Sequence, residues 1–255
     1  MKNNVAIITG ASAGLGKEYV KALIEKHPEI DEFWLIARRR DKLEQFADEF
    51  SGKRFVIIPL DLSKEESFVE YAHVLIKNSP AVKLLINNAG YGRLGDFDKL
   101  YCKDQYGMVD VNIRALVAMS RLTLDYMDKG SAIINVCSIA AFVPNPRMAV
   151  YCSTKAFVFS FSKALRQELK SRGINVLAAC PGPMETEFFK VANIQKGTSG
   201  LFDSIPRVDP KKVAEISIKR AFDGKAVYTN KFLYKLYRVV GKLIPHNWLM
   251  WKFTA

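Results

Sequence analysis

Val5-Ala6-Ile7-Ile8-Thr9-Gly10-Ala11-Ser12-Ala13-Gly14-Leu15-Gly16 is the stretch on which the reading of this chain turns. An apolar run of strand length passes without a break into a turn with glycines at 10, 14 and 16, and a helical pattern opens near Gly14. Glycines at such a turn let the backbone bend tightly and approach a pyrophosphate, while the helix points its amide end at that charge. Taken alone, the turn is also compatible with a plain strand-to-helix connection. Gly10-Ala11-Ser12-Ala13-Gly14 fits the G-x-S-x-G nucleophile elbow as well. That elbow needs a histidine base, and His27, His73 and His246 offer no recognisable partner.

Further along, apolar runs recur at Phe33 to Ala37, Phe55 to Leu60, Leu84 to Asn87, Ala132 to Cys137 and Ile174 to Cys180, separated by stretches of helical period. Strand alternating with helix predicts an α/β fold, a doubly wound parallel sheet covered on both faces, which is why its strands are continuously apolar. The expected strand order is 3-2-1-4-5-6-7, with right-handed crossovers. No linker composition or internal repeat divides the chain, so residues 1–255 are expected to form one domain, with an apolar lid over 183–210.

The 255 residues suffice for a full core, and 49% hydrophobic and 25% charged residues are ordinary globular values. Net charge is +12, and residues 190–255 carry 13 Lys and Arg against 4 Asp and Glu. Val5 to Ile8 is too short for a signal-peptide core, and no apolar run reaches the roughly 18 residues that span a bilayer. Cys102, Cys137, Cys152 and Cys180 lack metal-ligand or redox-pair spacing, so no metal is expected and a reducing cytoplasm suits them.

The second predicted strand ends in Ala37-Arg38-Arg39-Arg40. NAD calls for a carboxylate at this point, about 20 residues past the glycines, to bind ribose hydroxyls. Guanidinium forks in its place suit a 2′-phosphate and favour NADP(H), with Arg38 and then Arg39 as the contacts. Tyr151 and Lys155 fall four residues apart in a helical stretch, about one turn, so phenol and ammonium share a face. A nearby cation favours the phenolate of a group whose free pKa is about 10.

In this order the motifs resemble the short-chain dehydrogenase/reductase family over nearly the whole chain. They are the glycine turn, Asp61, Asn87-Asn88-Ala89-Gly90, Asn112, Ser138, Tyr151 with Lys155, and Pro181-Gly182 with Thr186. The resemblance implies a Rossmann-like fold and carries roles onto these positions. Tyr151 is the general acid or base, and Lys155 holds the nicotinamide ribose. Ser138 binds the substrate oxygen, and Asn112 anchors a proton-relay water. Gly10, Ser12, Ala13, Gly14, Leu15, Gly16, Asp61, Leu62, Asn88, Ala89, Gly90, Pro181, Gly182 and Thr186 line the cofactor cleft. Read singly, Ser138 is a strand-end serine and Asn112 a helix-surface amide.

Phe142, Met148, Phe188 and Phe202 are expected to wall the substrate site, pointing to a hydrophobic carbonyl compound. The layout is similar to hydroxysteroid dehydrogenases, so a hydroxysteroid or bile acid is expected first. The alternatives are a 3-oxoacyl group, a general carbonyl substrate or, in another class, a regulatory NADP-binding protein without turnover. By analogy with the family, a homodimer or homotetramer is expected.

Residues 229–255 form a basic amphipathic tail. Lys231, Lys235, Arg238 and Lys242 are expected on one helical face, with Phe232, Leu236, Val239, Val240 and Leu243 opposite, and Trp248, Trp251 and Phe253 follow. Such a helix serves to pack on the protein or on a second subunit, to meet a membrane surface, or to bind another acidic partner. No nucleic-acid module is recognisable.

Overall fold

The computed structural model describes residues 3–193 and 205–252. Gly197 to Phe202 of the expected lid, and Phe253, lie outside them. In chain order the elements are β1 (Asn4–Thr9), α1 (Gly14–Lys26), β2 (Glu32–Ala37), α2 (Arg40–Ala47), β3 (Arg54–Pro59), α3 (Glu66–Asn78), β4 (Ala81–Asn87), α4 (Cys102–Val109), α5 (Ala115–Thr123), β5 (Ala132–Val136), α6 (Ala149–Glu168), β6 (Asn175–Ala179), α7 (Glu187–Val191), α8 (Pro210–Phe222), β7 (Val227–Tyr228), α9 (Phe232–Leu243) and α10 (His246–Lys252). A π-helical turn, Asp110–Arg114, joins α4 to α5.

The strands form one parallel sheet in the order β3-β2-β1-β4-β5-β6-β7, as the sequence predicts. Side chains leave a strand alternately to its two faces, so the unbroken apolar runs serve two cores. Ala6, Ile8, Leu84, Ile86 and Ile134 meet Tyr19, Leu23, Val213 and Ile218 of α1 and α8 on one face. Val5, Ile7, Leu85, Ile133 and Val176 meet Tyr71, Leu75, Met119 and Leu165 of α3, α5 and α6 on the other. β7, which no apolar run announces, is two residues long and pairs only through Val227 and Tyr228.

The tail helix α9 departs from its expected arrangement. Its protein-facing residues are Tyr234 and Gly241, both buried, whereas Phe232, Leu236, Val239 and Leu243 are exposed. The basic row and the apolar row are neighbours on the helix and not opposites. They lie one residue apart, which is about 100° of helical rotation.

A polar ladder crosses the second core. Asn87 Nδ2 donates to Ser120 Oγ at 2.9 Å and to Asn135 Oδ1 at 2.8 Å, and Asn135 Nδ2 donates to Ser162 Oγ at 3.0 Å. All four residues are buried, so the ladder ties α5, β4, β5 and α6 together in a medium where each unpaired group is costly. Asn135→Leu removes the acceptor of Asn87 and the donor to Ser162. Asn87 Nδ2 keeps Ser120, and Ser162 Oγ keeps the Val158 carbonyl, so each loses one of two bonds, and urea denaturation is expected to show a loss of roughly 1–3 kcal/mol.

Candidate active site

The carboxyl ends of β1 and β4 border the crevice where strand order reverses, the usual ligand position in an open α/β sheet. Here a cleft of about 1070 Å³ is lined by the glycine turn, Arg38, Asp61, Asn88 to Gly90, Ser138, Tyr151, Lys155, Pro181, Gly182 and Thr186. The turn is held by Gly10 and Ala11 amides, both donating to the Ile36 carbonyl at 2.7 and 3.3 Å. Gly10 has φ +67° and Gly14 φ +51°, a region that side chains disfavour. Ala13 provides α1 with no side-chain cap, and the first turn holds no acidic residue, so its amides are left for an anion in the cleft.

Ser12, Ala13, Gly14 and Leu15 line this cleft as expected, but Gly16 does not. A side chain at Gly16 would collide with the Gly10 carbonyl, so this glycine serves helix-to-strand packing.

Arg38 is exposed at the cleft edge. Arg39 reaches across, its Nη2 donating to Ser12 Oγ at 3.2 Å and to Glu187 Oε2 at 3.1 Å, and so ties the glycine turn to α7. Arg40 pairs with Glu44 on its own helix. Asp61 Oδ1 accepts from the Ser63 amide and hydroxyl at 3.1 and 2.8 Å. Partial burial raises the Asp61 pKa, but these bonds and the charge of Arg38 outweigh it, and the carboxyl is held below its ordinary value. Leu62 is buried beside it and lines the cleft.

Ser138 follows β5 and caps the short 3₁₀ turn Ile139–Ala141, its Oγ accepting from Ala140 N at 3.1 Å. The Tyr151 hydroxyl is hydrogen-bonded to Ser138. Lys155 Nζ lies 5.8 Å from the Tyr151 ring centroid and donates to the Val136 carbonyl at 2.9 Å. Burial pushes the Tyr151 phenol well above its usual value, opposed by the Ser138 bond. It pushes the Lys155 ammonium down, opposed by Cys137 and Cys180. Desolvation by burial is the largest influence on this phenol, and the Lys155 cation 5.8 Å from its ring does not reverse it.

Asn112 is buried, against the surface position its residue type suggests, because the π-helical turn swings it inward. Its Oδ1 accepts from Tyr91 N at 3.0 Å, and its Nδ2 donates to Tyr91 O at 2.9 Å and to Thr154 Oγ1 at 3.0 Å. It does not line the cleft, and both its donors are spent. Thr186 Oγ1 caps α7 by accepting from Phe188 N at 3.3 Å. The Pro181 carbonyl accepts from Ile139 N at 3.1 Å, and Gly182 N donates to Asn230 Oδ1 at 3.2 Å.

On the substrate side Met148 and Phe188 line the cleft, and Phe188 packs 5.6 Å from the Tyr151 ring. Phe142 does not. It packs away from the cleft on Phe159 at 5.5 Å and Tyr237 at 6.3 Å, and Val143 takes the lining position. Phe202 lies outside the described residues. Leu233, Tyr234 and Tyr237 of α9 complete the wall. The sequence reading missed them because it sorted α9 by charge, although the 234/237 spacing already places two tyrosines on one face.

Residues 4–197 match the family model described as short chain dehydrogenase. The chain belongs to the short-chain dehydrogenase family. Among its relatives, a "Probable NADP-dependent dehydrogenase" of Haemophilus influenzae is 34% identical over 85% of this chain and 86% of its own length. A "Very-long-chain 3-oxoacyl-CoA reductase" of Anas platyrhynchos is 31% identical over 73% of this chain and 62% of its own length. A short-chain dehydrogenase from Sphingobium yanoikuyae, solved in complex with NADPH, superposes with a TM-score of 0.78 at 24% identity, covering 95% of this chain and 96% of that one. That likeness shows the fold.

Within this short-chain dehydrogenase, burial raises the Cys152 thiol next to Tyr151 to about 11, the Asn145 backbone opposing, whereas Cys102 is exposed. Peptide mapping after iodoacetamide at neutral pH is expected to find Cys102 modified and Cys152 unmodified. Cys152 should label only as pH approaches its raised value.

Proposed function

We propose that this oxidoreductase uses NADP(H) to interconvert a carbonyl and a secondary alcohol on a hydrophobic substrate. The observation that carries the reading is one continuous cleft shared by two groups of residues: an anion-ready glycine turn with Arg38, and Ser138, Tyr151 and Lys155. The residues fit a 2′-phosphorylated dinucleotide. The uncapped end of α1 and the left-handed Gly10 suit the pyrophosphate, and a guanidinium stands where NAD would want a carboxylate. At about 1070 Å³ the cleft stands at the upper end of the roughly 300–1,000 Å³ of small-molecule sites, a size in keeping with a dinucleotide.

Bound NADP(H) supplies or takes up the hydride. Ser138 Oγ holds the substrate oxygen close to the Tyr151 hydroxyl, which gives that oxygen a proton in reduction and recovers it in oxidation. A phenol kept protonated by burial is ready to donate. The Lys155 ammonium beside it favours the phenolate left behind and holds the ribose. Asn112 acts by position, fixing Tyr91 at the cleft wall through its amide.

Met148, Phe188, Phe189, Ile205 and Leu233 give the substrate end an apolar lining, and the described flanks of the expected lid, 183–193 and 205–210, supply Phe188, Phe189 and Ile205 to it. A hydroxysteroid or bile acid suits such a wall. A long-chain 3-oxoacyl thioester is the second reading, favoured by the very-long-chain 3-oxoacyl-CoA reductase among the relatives. The reading includes a homodimer or homotetramer through the helical segments carrying Asn112 and Tyr151, the π-helical turn with its flanking α4 and α5 and then α6, where Val109 and Phe157 are exposed. It also includes a cytoplasmic location with peripheral membrane contact by residues 229–255.

NADPH oxidation across oxo-steroids, oxo-bile acids, 3-oxoacyl thioesters and small ketones is the direct test. Turnover should fall by roughly 10²–10⁴ in Tyr151→Phe, the usual share of a general acid, with NADPH binding retained. NADPH binding without turnover on any class would favour a regulatory protein. Arg38→Asp is expected to weaken NADPH about ten- to a hundredfold, the loss of one charge-assisted contact, and to improve NADH. Unchanged NADPH affinity would remove the cofactor argument.

A further inference from the structure

Two close approaches fix the rotation of α9 against the protein. The Tyr234 ring occupies the space where a side chain at Gly182 would stand, and its hydroxyl donates to the Pro206 carbonyl. A Cβ on Gly241 would come within 2.6 Å of the Phe142 carbonyl oxygen. With this face pinned, about 100° per residue sends Phe232, Leu236, Val239 and Leu243 to the side turned directly away from the protein. Phe232 and Leu243 are 79% and 77% exposed. The row continues into Ile244 and Trp248 of the following turn, the latter 73% exposed, while Leu249 is buried. Single exposed apolar residues need no explanation, but a contiguous row of this length marks a docking surface.

Charge identifies what it docks on. Lys231, Lys235, Arg238 and Lys242 flank the row, and residues 224–255 contain six Lys and Arg and no Asp or Glu. A second copy of this chain, docked row to row, would bring two basic flanks together with no carboxylate from either tail to meet them. Twelve residues of α9 span about 18 Å, and no helix among the described residues is long and apolar enough to cross a membrane. An apolar row beside a basic row on a short helix has the form of a helix lying in an interface.

We infer that α9 lays its outer apolar row on an anionic lipid surface, with Lys231, Lys235, Arg238 and Lys242 against the headgroups. The inner side of the same helix walls the cleft through Leu233, Tyr234 and Tyr237, so docking sets the substrate end beside the lipid. The docking rests on and deepens the peripheral membrane contact proposed above, naming its helix face and its lipid, and the consequence for substrate entry rests on the hydrophobic-carbonyl reading.

Vesicle flotation of the full chain tests this, using phosphatidylcholine alone and phosphatidylcholine with phosphatidylserine. The chain should float with the anionic vesicles and far less with the neutral ones. Lys235→Glu with Lys242→Glu should weaken binding at least fivefold per charge removed, since each cation near such a surface contributes about 1 kcal/mol. Leu236→Ser with Leu243→Ser should weaken it about tenfold or more through lost apolar burial.

Circular dichroism and NADPH turnover on a small soluble ketone, both unchanged, would show the variants folded. Wild type that fails to float, or variants that float equally, would overturn the proposal. So would a drop in solution mass of the leucine variant, which would assign the row to a second copy. Flotation without turnover would sink the enzymatic reading alone, and turnover without flotation the docking alone.

Discussion

Thr9 and Asn88 hold each other across the gap on which the site depends. Thr9 Oγ1 accepts the amides of Asn88 and Ala89 at 2.9 and 3.0 Å, and Asn88 Nδ2 returns to the carbonyls of Thr9 and Gly10 at 2.9 and 3.2 Å. The loops after β1 and β4 part here because the chain winds outward in both directions from these strands. Without side chains to satisfy them, their backbone groups would need water or would collapse onto one another. The clamp keeps the crevice open at a fixed width, and both the glycine turn and the Asn88 to Gly90 wall take their positions from it.

From this clamp the polar interior runs on in one direction. Asn87 begins the ladder to Asn135 and Ser162, and Asn112 grips Tyr91 and Thr154. Thr154 follows Cys152 and Ser153 on the helix that carries Tyr151 and Lys155. The groups that meet the cleft are thus backed by buried hydrogen bonds on rigid elements and not by loops alone. Such backing limits the freedom of a phenol and an ammonium that burial has already pushed away from their charged forms.

The sheet was legible because each strand is an unbroken apolar run and each crossover helix has its own period, so order and face followed from the glycine turn onward. β7 was not, since two residues carry no pattern. The pairing of Tyr151 with Lys155 could be read from their spacing and Ser138 only from the resemblance, but the direction of the Tyr151 shift could not. Spacing reports a neighbour, whereas desolvation depends on everything packed around it. Gly16, Phe142 and Asn112 show the same limit. Each was expected at the site, and each is set elsewhere by packing: helix against strand, aromatic against aromatic, and a π-helical turn whose extra residue changes the facing of its side chains.

The bridge from Arg39 to Ser12 and Glu187 joins the nucleotide end of the cleft to the helix that carries Phe188. Any ligand that moves Arg39 therefore changes the set of positions open to α7, and a ligand that moves α7 changes those open to Arg39. Thermodynamic reciprocity makes the two effects equal in size. Since both charges are largely solvated, the pair is worth about 0–1 kcal/mol. Filling one end of the cleft should then alter affinity at the other by a factor of at most about five, a bias on the order of binding and not a lock.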